Sequence, residues 1–335
     1  MKQLVKNWLT IISTYHFVRK CMPFFDGWYA GMVLGDPVEK AISAGRVLGL
    51  YRSIFFWQFA PRKYTGGALL NLLGLQIFRY YFYNIRYLLR SKRGRLAKEI
   101  ESTGVAIKRN MLSDSAVDRI LSFYAKNKKF SAQYFDDFSE LVISNTNGPI
   151  HNSDDYWSLS KFILEECKIK FVGEDLTGLT FNIFPFISIL HYQSFIDKMR
   201  QADGQDIPHA DVFYPSFKIF VYLNKVNEEN GAFKYLSSSN RFSIEGAIGA
   251  YRNSLRHYFR GGRSSIYPTD ALADFKNQGL SWISAAGNPG DAVLFNVQGI
   301  HRRGDFCKDR QRERLVLLID FRQAEVPVQK FAANV

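Results

Sequence analysis

From Gly178 onward the apolar residues of this chain come in short runs rich in aromatic and β-branched side chains. They read LTFNIFPFISIL (179–190), FKIFVYL (217–223), DAVLFNV (291–297) and RLVLLIDF (314–321). Turn sequences punctuate them, NEENG at 227–231 and GNPGD at 287–291. Runs this short, bounded by turn formers, read as buried strands rather than helices. Several of them in succession, after leading helices, predict a mainly β protein with helices (α+β) built as a β-sandwich or jelly-roll barrel. The 335 residues are 47% hydrophobic and 22% charged. That composition can bury a core and excludes a disordered chain, a collagen-like chain and a coiled-coil rod.

Charge divides the chain. Residues 1–109 carry 18 Lys+Arg against 5 Asp+Glu, so the whole net charge of +13 sits there and the remaining residues balance to zero. The first ninety residues are also apolar and aromatic, with WLTIISTYHFV, RSIFFWQFA and LLNLLGLQIFRYYFYNIRYLLR. Their longest charge-free run, Tyr64–Phe78, is 15 residues, shorter than the ~20 a bilayer span needs. No small-residue cleavage site follows the short WLTIIS stretch, which argues against a signal peptide. Two readings of this part stay open: a helical unit whose aromatics pack on the body or on a second subunit, and a peripheral membrane surface. Nucleic-acid binding is set aside because no recognition motif accompanies the basic charge.

The boundary expected from these patterns separates a helical, basic-aromatic region (1–95) from a body (96–335), with an insertion at 243–280. At the start of the body GVAIKRNML (104–112) reads as a strand. Ser113 or Asp114 then caps a helix that aligns Val117, Ile120, Leu121 and Tyr124 on one face. A second helix is expected over Trp157–Lys168. Three cysteines without a CxxC pair argue against a disulfide scaffold or a structural zinc site, and fit a reducing cytoplasm.

The residues that suggest chemistry are His209, Asp211 and His301. His209 and Asp211 stand at i and i+2, so on extended backbone both point to one face. His301 follows the strand DAVLFNV. Two imidazoles and one carboxylate on one side of a metal leave three positions open, the arrangement that suits non-heme Fe(II) and O₂. HxD is frequent by chance, and a hydrogen-bonded structural histidine is the plain alternative. The strand RLVLLIDF then opens on Arg314. An arginine inside a barrel is costly unless paired, and a guanidinium pairs best with a carboxylate. Arg312 shares its parity and is the second choice.

Taken together, GVAIKRNMLSDSAVDRIL, His209-Ala-Asp211, FKIFVYLNKVNEENGAFKYLSSSNR (217–241), GDAVLFNVQGIHRRGDF (290–306) and RERLVLLIDF (312–321) resemble the phytanoyl-CoA dioxygenase family of Fe(II)/2-oxoglutarate oxygenases. The resemblance covers about 230 residues, none of them before residue 95. It implies a double-stranded β-helix (jelly-roll, cupin-like), Fe(II) held by His209, Asp211 and His301, and the co-substrate 2-oxoglutarate anchored by Arg314. Lys218, Tyr192 and Gln193 are further expected co-substrate contacts. The activity implied is hydroxylation of an aliphatic carbon in a small-molecule or lipid/acyl substrate, with O₂ consumed and succinate and CO₂ released. Two departures stand out. Arg303 occupies a position where the family often has a small hydroxyl residue, and the turn before Arg241 reads Ser238-Ser239-Asn240. Retention of Asp211 favours hydroxylation or desaturation over halogenation. The competing readings are a non-catalytic membrane- or partner-binding protein that keeps the barrel, and a cupin-type metal oxygenase that needs no 2-oxoglutarate. Oligomeric state is left open.

Overall fold

A computed structural model describes residues 74–89, 94–135, 138–145, 148–177, 185–194, 206–244, 246–252, 279–306 and 312–321. Residues 1–73, most of the 243–280 insertion and the segment 195–205 lie outside these. The helices are α1 (Leu75–Leu88), α2 (Arg95–Thr103), α3 (Asp114–Asn127), α4 (Asp154–Glu166) and α5 (Ile169–Thr177), with a further short helix over 246–252. The strands are β1 (Val105–Lys108), β2 (Ala132–Phe135), β3 (Phe138–Asn145), β4 (Gly148–Pro149), β5 (Phe186–Ser194), β6 (Phe217–Tyr222), β7 (Phe233–Leu236), β8 (Trp282–Ala285), β9 (Ala292–Asn296), β10 (His301–Arg303) and β11 (Arg312–Asp320).

Two antiparallel sheets form. The larger runs β1-β9-β6-β11-β5-β3-β2, with β4 paired to β3; the smaller runs β10-β7-β8. The apolar runs of the sequence are the inner strands of the larger sheet, the first of them from Phe186 on, since 178–184 lie outside the described residues. Their alternation shows which way each side chain points. On β6 and β11, Phe217, Ile219, Val221, Leu315, Leu317 and Ile319 join a core shared with the helices. Their neighbours Tyr222, Val316 and Leu318 join a second core shared with Phe233, Tyr235 and Ala285 of the smaller sheet. A sheet buried on both faces needs no polar alternation, which is why these strands read as continuous apolar runs.

The helices cover the outer face. Ile100 of α2, Ile120 of α3, Ile163 of α4 and Leu176 of α5 are completely buried there. The start of α3 is set by Ser113, whose Oγ accepts from the Ala116 N–H at 3.3 Å. Asp114 in its first turn and Lys126 in its last complement the helix dipole. The second expected helix is present but sits a few residues earlier, as α4, because Asp154 and Asp155 favour its N-terminal turn.

The expected boundary at residue 95 does not mark a change in packing. Helix α1 already belongs to the body. Tyr80 and Tyr83 enter the core between the sheets, and Tyr87 enters the outer core. Tyr83 stacks on Tyr214 with ring centroids 4.8 Å apart. The Gln298 side chain donates to Asn84 Oδ1 at 3.0 Å, and Tyr87 donates to the Leu176 carbonyl. Each large apolar side chain buried this way contributes roughly 1.5–3 kcal/mol. Tyr80, Tyr83 and Tyr87 thus go into intramolecular packing, while Leu88 stays exposed. No helix among the described residues is long and apolar enough to cross a membrane.

Candidate metal centre

The smaller sheet gains a fourth edge at the site. His209 and His301 exchange both backbone hydrogen bonds, His209 N–H to His301 O at 2.9 Å and the reverse at 2.8 Å. Residues paired this way present their side chains on the same face, and the two imidazole centroids lie 4.6 Å apart. Asp211, two residues on, returns to that face while its N–H bonds the Val297 carbonyl. His301 does not simply trail the strand DAVLFNV. It opens β10, because the chain turns from the larger sheet to the smaller between Val297 and Ile300. That turn requires glycine at 299, where a Cβ would stand 1.8 Å from Tyr235 Oη. Tyr235 in turn donates to the Asn296 carbonyl at 2.8 Å and lies parallel to the His301 ring.

Both histidines direct the same atom inward. Nδ1 of His209 is 2.7 Å from the Ile207 carbonyl and Nδ1 of His301 is 2.9 Å from the Gly299 carbonyl. A carbonyl only accepts, so each Nδ1 carries a proton, and Nε2 is the atom that each ring turns toward Asp211. Those Nε2 atoms stand 3.6 and 3.7 Å from Asp211 Oδ1. The three ligand atoms lie within 4.8 Å of one another. Burial, reinforced by His209, pushes the His301 imidazolium down to about 3, so the ring is neutral and ready to ligate across the physiological range. Two imidazole nitrogens and one carboxylate oxygen, converging and oriented by backbone carbonyls, fit a divalent transition metal with positions left open.

The expected anion anchor is also inside. Arg314 is 2% exposed, and its Nη1 donates to the Gly231 carbonyl at 2.7 Å. Its guanidinium lies 5.5 to 5.9 Å from the rings of Tyr192, Phe220 and Tyr222. Among the described residues it has no acidic partner, and its Nε has no hydrogen bond. Arg312 is different. It pairs with Glu229 at the surface. A line of rings joins anchor to triad: His301 to Phe233 at 5.6 Å, Phe233 to Phe220 at 5.5 Å, and Phe220 to Arg314 Cζ at 5.6 Å.

The remaining expected contacts separate. Tyr192 faces the interior, 5% exposed, stacked on Phe138. Gln193 has the opposite parity on β5 and points to the outer face with His191, which bonds Tyr124 of α3. Strand alternation therefore keeps Gln193 from the interior. Lys218 does face the interior, but its ammonium is taken by carboxylates: Asp211 Oδ2 at 2.5 Å and Asp320 Oδ2 at 3.7 Å. Arg303, which replaces the expected small hydroxyl residue, is 4% exposed and lies 4.9 Å over the Tyr192 ring. Asp320 carried no expectation. Its signal was a lone acid in the run RLVLLIDF, on the same parity as Arg314.

No family model and no curated protein matches the chain. Among solved structures it is similar to the epimerase SnoN in complex with Fe3+, alpha ketoglutarate and nogalamycin RO, at 15% identity and a TM-score of 0.44 over 68% of this chain and 82% of that one. EctD from S. alaskensis in its apoform gives 13% and 0.42 over 68% and 76%. HygX from Streptomyces hygroscopicus with nickel and 2-oxoglutarate bound gives 17% and 0.39 over 67% and 84%.

Proposed function

We propose that this chain is an Fe(II)- and 2-oxoglutarate-dependent oxygenase with a phytanoyl-CoA dioxygenase-like, double-stranded β-helix body. The strand path supports the fold. From β5 the chain alternates between the two sheets: larger at β5, smaller at His209, larger at β6, smaller at β7 and β8, larger at β9, smaller at β10, larger at β11. The observation that carries the function is a buried guanidinium without an acidic partner among the described residues, Arg314, in the same interior as the His209, Asp211 and His301 triad. A triad alone fits many metal proteins. A metal site facing a buried, uncompensated cation calls for a ligand with a metal-chelating end and a distal carboxylate, which describes 2-oxoglutarate.

When bound, the iron supplies O₂ activation coupled to decarboxylation of the co-substrate, giving succinate, CO₂ and an oxidant for an aliphatic carbon. The protein's own residues do the rest. His209 and His301 offer Nε2 atoms held in place by the Ile207 and Gly299 carbonyls. Arg314 orients the dicarboxylate, and Phe220 and Phe233 form the apolar stretch between its ends. The rings of Phe233, Tyr235 and Phe295 pack around His301 and hold its orientation. The substrate is a small molecule or a lipid. A peripheral membrane contact, if made by the N-terminal part, falls to residues 1–73, because α1 turns its tyrosines inward.

Anaerobic addition of Fe(II) and then 2-oxoglutarate to the purified protein tests this reading. A visible charge-transfer band is expected, weakened in His209→Ala, Asp211→Ala and His301→Ala. A metal-loaded, folded protein with no band on addition of 2-oxoglutarate would favour a cupin-type oxygenase. A protein that takes up no metal would leave only the scaffold reading.

A further inference from the structure

Lys218 stands where a lysine is least expected, on an inner strand between Phe217 and Ile219, which are 1% and 0% exposed. Its parity on β6 turns it into the interior with Phe220 and Tyr222. There its ammonium meets two acids from different elements: Asp211 Oδ2 at 2.5 Å and Asp320 Oδ2 at 3.7 Å. Asp320 is its cross-strand partner on β11 and is 2% exposed. The two oxygens of Asp211 are therefore divided. Oδ2 faces the lysine, while Oδ1 is the atom that faces both histidine Nε2 atoms.

From this division we propose that Lys218 is a positioning residue of the metal centre, holding Asp211 so that it ligates through Oδ1 alone, with Asp320 fixing the lysine in turn. The proposal rests on the metal-centre reading above. A carboxylate free to rotate about its Cβ–Cγ bond can bind a metal through one oxygen or through both. An ammonium on one oxygen removes the second mode and leaves three coordination positions open rather than two. Asp320 completes the arrangement, since a lysine and two carboxylates largely removed from water are stable only as a mutually paired set. This role differs from the co-substrate contact that the sequence led us to expect for Lys218, and the two roles have different signatures.

Co(II) titration followed by its visible d–d absorption separates them, with 2-oxoglutarate binding to the Co(II) form measured afterwards. Lys218→Met is expected to lower Co(II) affinity by about 10- to 100-fold, the usual consequence of removing a partner of a metal ligand. It is also expected to change the d–d spectrum at saturating metal. Lys218→Arg, which keeps a donor for Oδ2, is expected to restore the wild-type spectrum. Asp320→Asn retains the lysine but loosens its seat, and is expected to lower Co(II) affinity by a smaller factor; it carries the test if Lys218→Met fails to fold. Wild-type affinity and spectrum in folded Lys218→Met and in Asp320→Asn would overturn the proposal. So would a loss of 2-oxoglutarate affinity with Co(II) binding untouched, which would return Lys218 to the co-substrate. A wild-type protein that binds no Co(II) would remove the metal-centre reading and this proposal with it.

Discussion

Replacing Arg314 by methionine sets two effects of opposite sign against each other. In the protein without co-substrate, the guanidinium is 2% exposed and has no acidic partner among the described residues. Taking such an ion out of water costs several kcal/mol, and methionine removes that cost while filling similar volume. Against this stand the lost hydrogen bond to the Gly231 carbonyl, about 0.5–1.5 kcal/mol, and the ring contacts, about 0.5–2 kcal/mol. The sum is near zero or about 1 kcal/mol in favour of the variant, so the ligand-free unfolding midpoint is expected to hold or rise. Binding goes the other way. Losing one side of a buried carboxylate–guanidinium pair costs about 2–5 kcal/mol, at least about 30-fold in Kd at 1.4 kcal/mol per decade. Thermal unfolding of the Fe(II)-loaded protein under anaerobic conditions, with and without 2-oxoglutarate, reads both. At 100 times Kd the wild type gains about 2.7 kcal/mol; Arg314→Met at the same concentration gains little. A variant that is destabilised without ligand yet keeps the full gain with 2-oxoglutarate would refute the anchoring role.

Two further outcomes follow from the turn that leads into β9. Burial alone would raise the Asp291 carboxyl, but the N–H groups of Asn288 and Asn110 together with Arg109 outweigh it and hold the group below its ordinary range. A depressed folded-state value means stability that is present above the unfolded value, about 3.9, and lost as pH falls through the folded one. Asp291→Asn is therefore expected to cost about 1–3 kcal/mol at pH 7 and progressively less below pH ~4, as denaturant titrations at several pH values would record; a pH-independent difference would contradict it. Gly290 adopts φ +84°, and a Cβ there would stand 2.4 Å from the Leu112 carbonyl oxygen. Gly290→Ala is expected to destabilise by more than ~1 kcal/mol by disturbing the contact between this turn and the start of α3; an unchanged midpoint would show that the turn relaxes freely.

The inner strands were legible because they are buried on both faces, which forces continuous apolar runs with turn formers between them. The short strands of the smaller sheet were not. Phe233–Leu236, Trp282–Ala285 and His301–Arg303 span three or four residues each, too few for a period to emerge, and their pairing is set by partners far along the chain. The triad was legible as HxD plus a later histidine. The structure adds what no spacing contains, namely that His209 and His301 are cross-strand partners. Arg314 could be told from Arg312 only by the company each keeps: aromatic rings inside for one, Glu229 at the surface for the other. Lys218 was noticed as a lone cation, yet its partner Asp320 lies on a strand 102 positions away in the chain. The tyrosines of α1 resembled a lipid-facing surface because aromatic helices packed on protein and aromatic helices packed on lipid share one composition.

Helix α1 lies against the loop that carries His209 and Asp211, two of the three residues of the candidate metal centre. Tyr83 rests on Phe213 and Tyr214, directly after Asp211, and Asn84 is tied to Gln298 just ahead of His301. Seating of this helix and placement of His209, Asp211 and His301 thereby rest on shared contacts. One aromatic helix from ahead of residue 95 thus forms part of the shell that places the candidate centre.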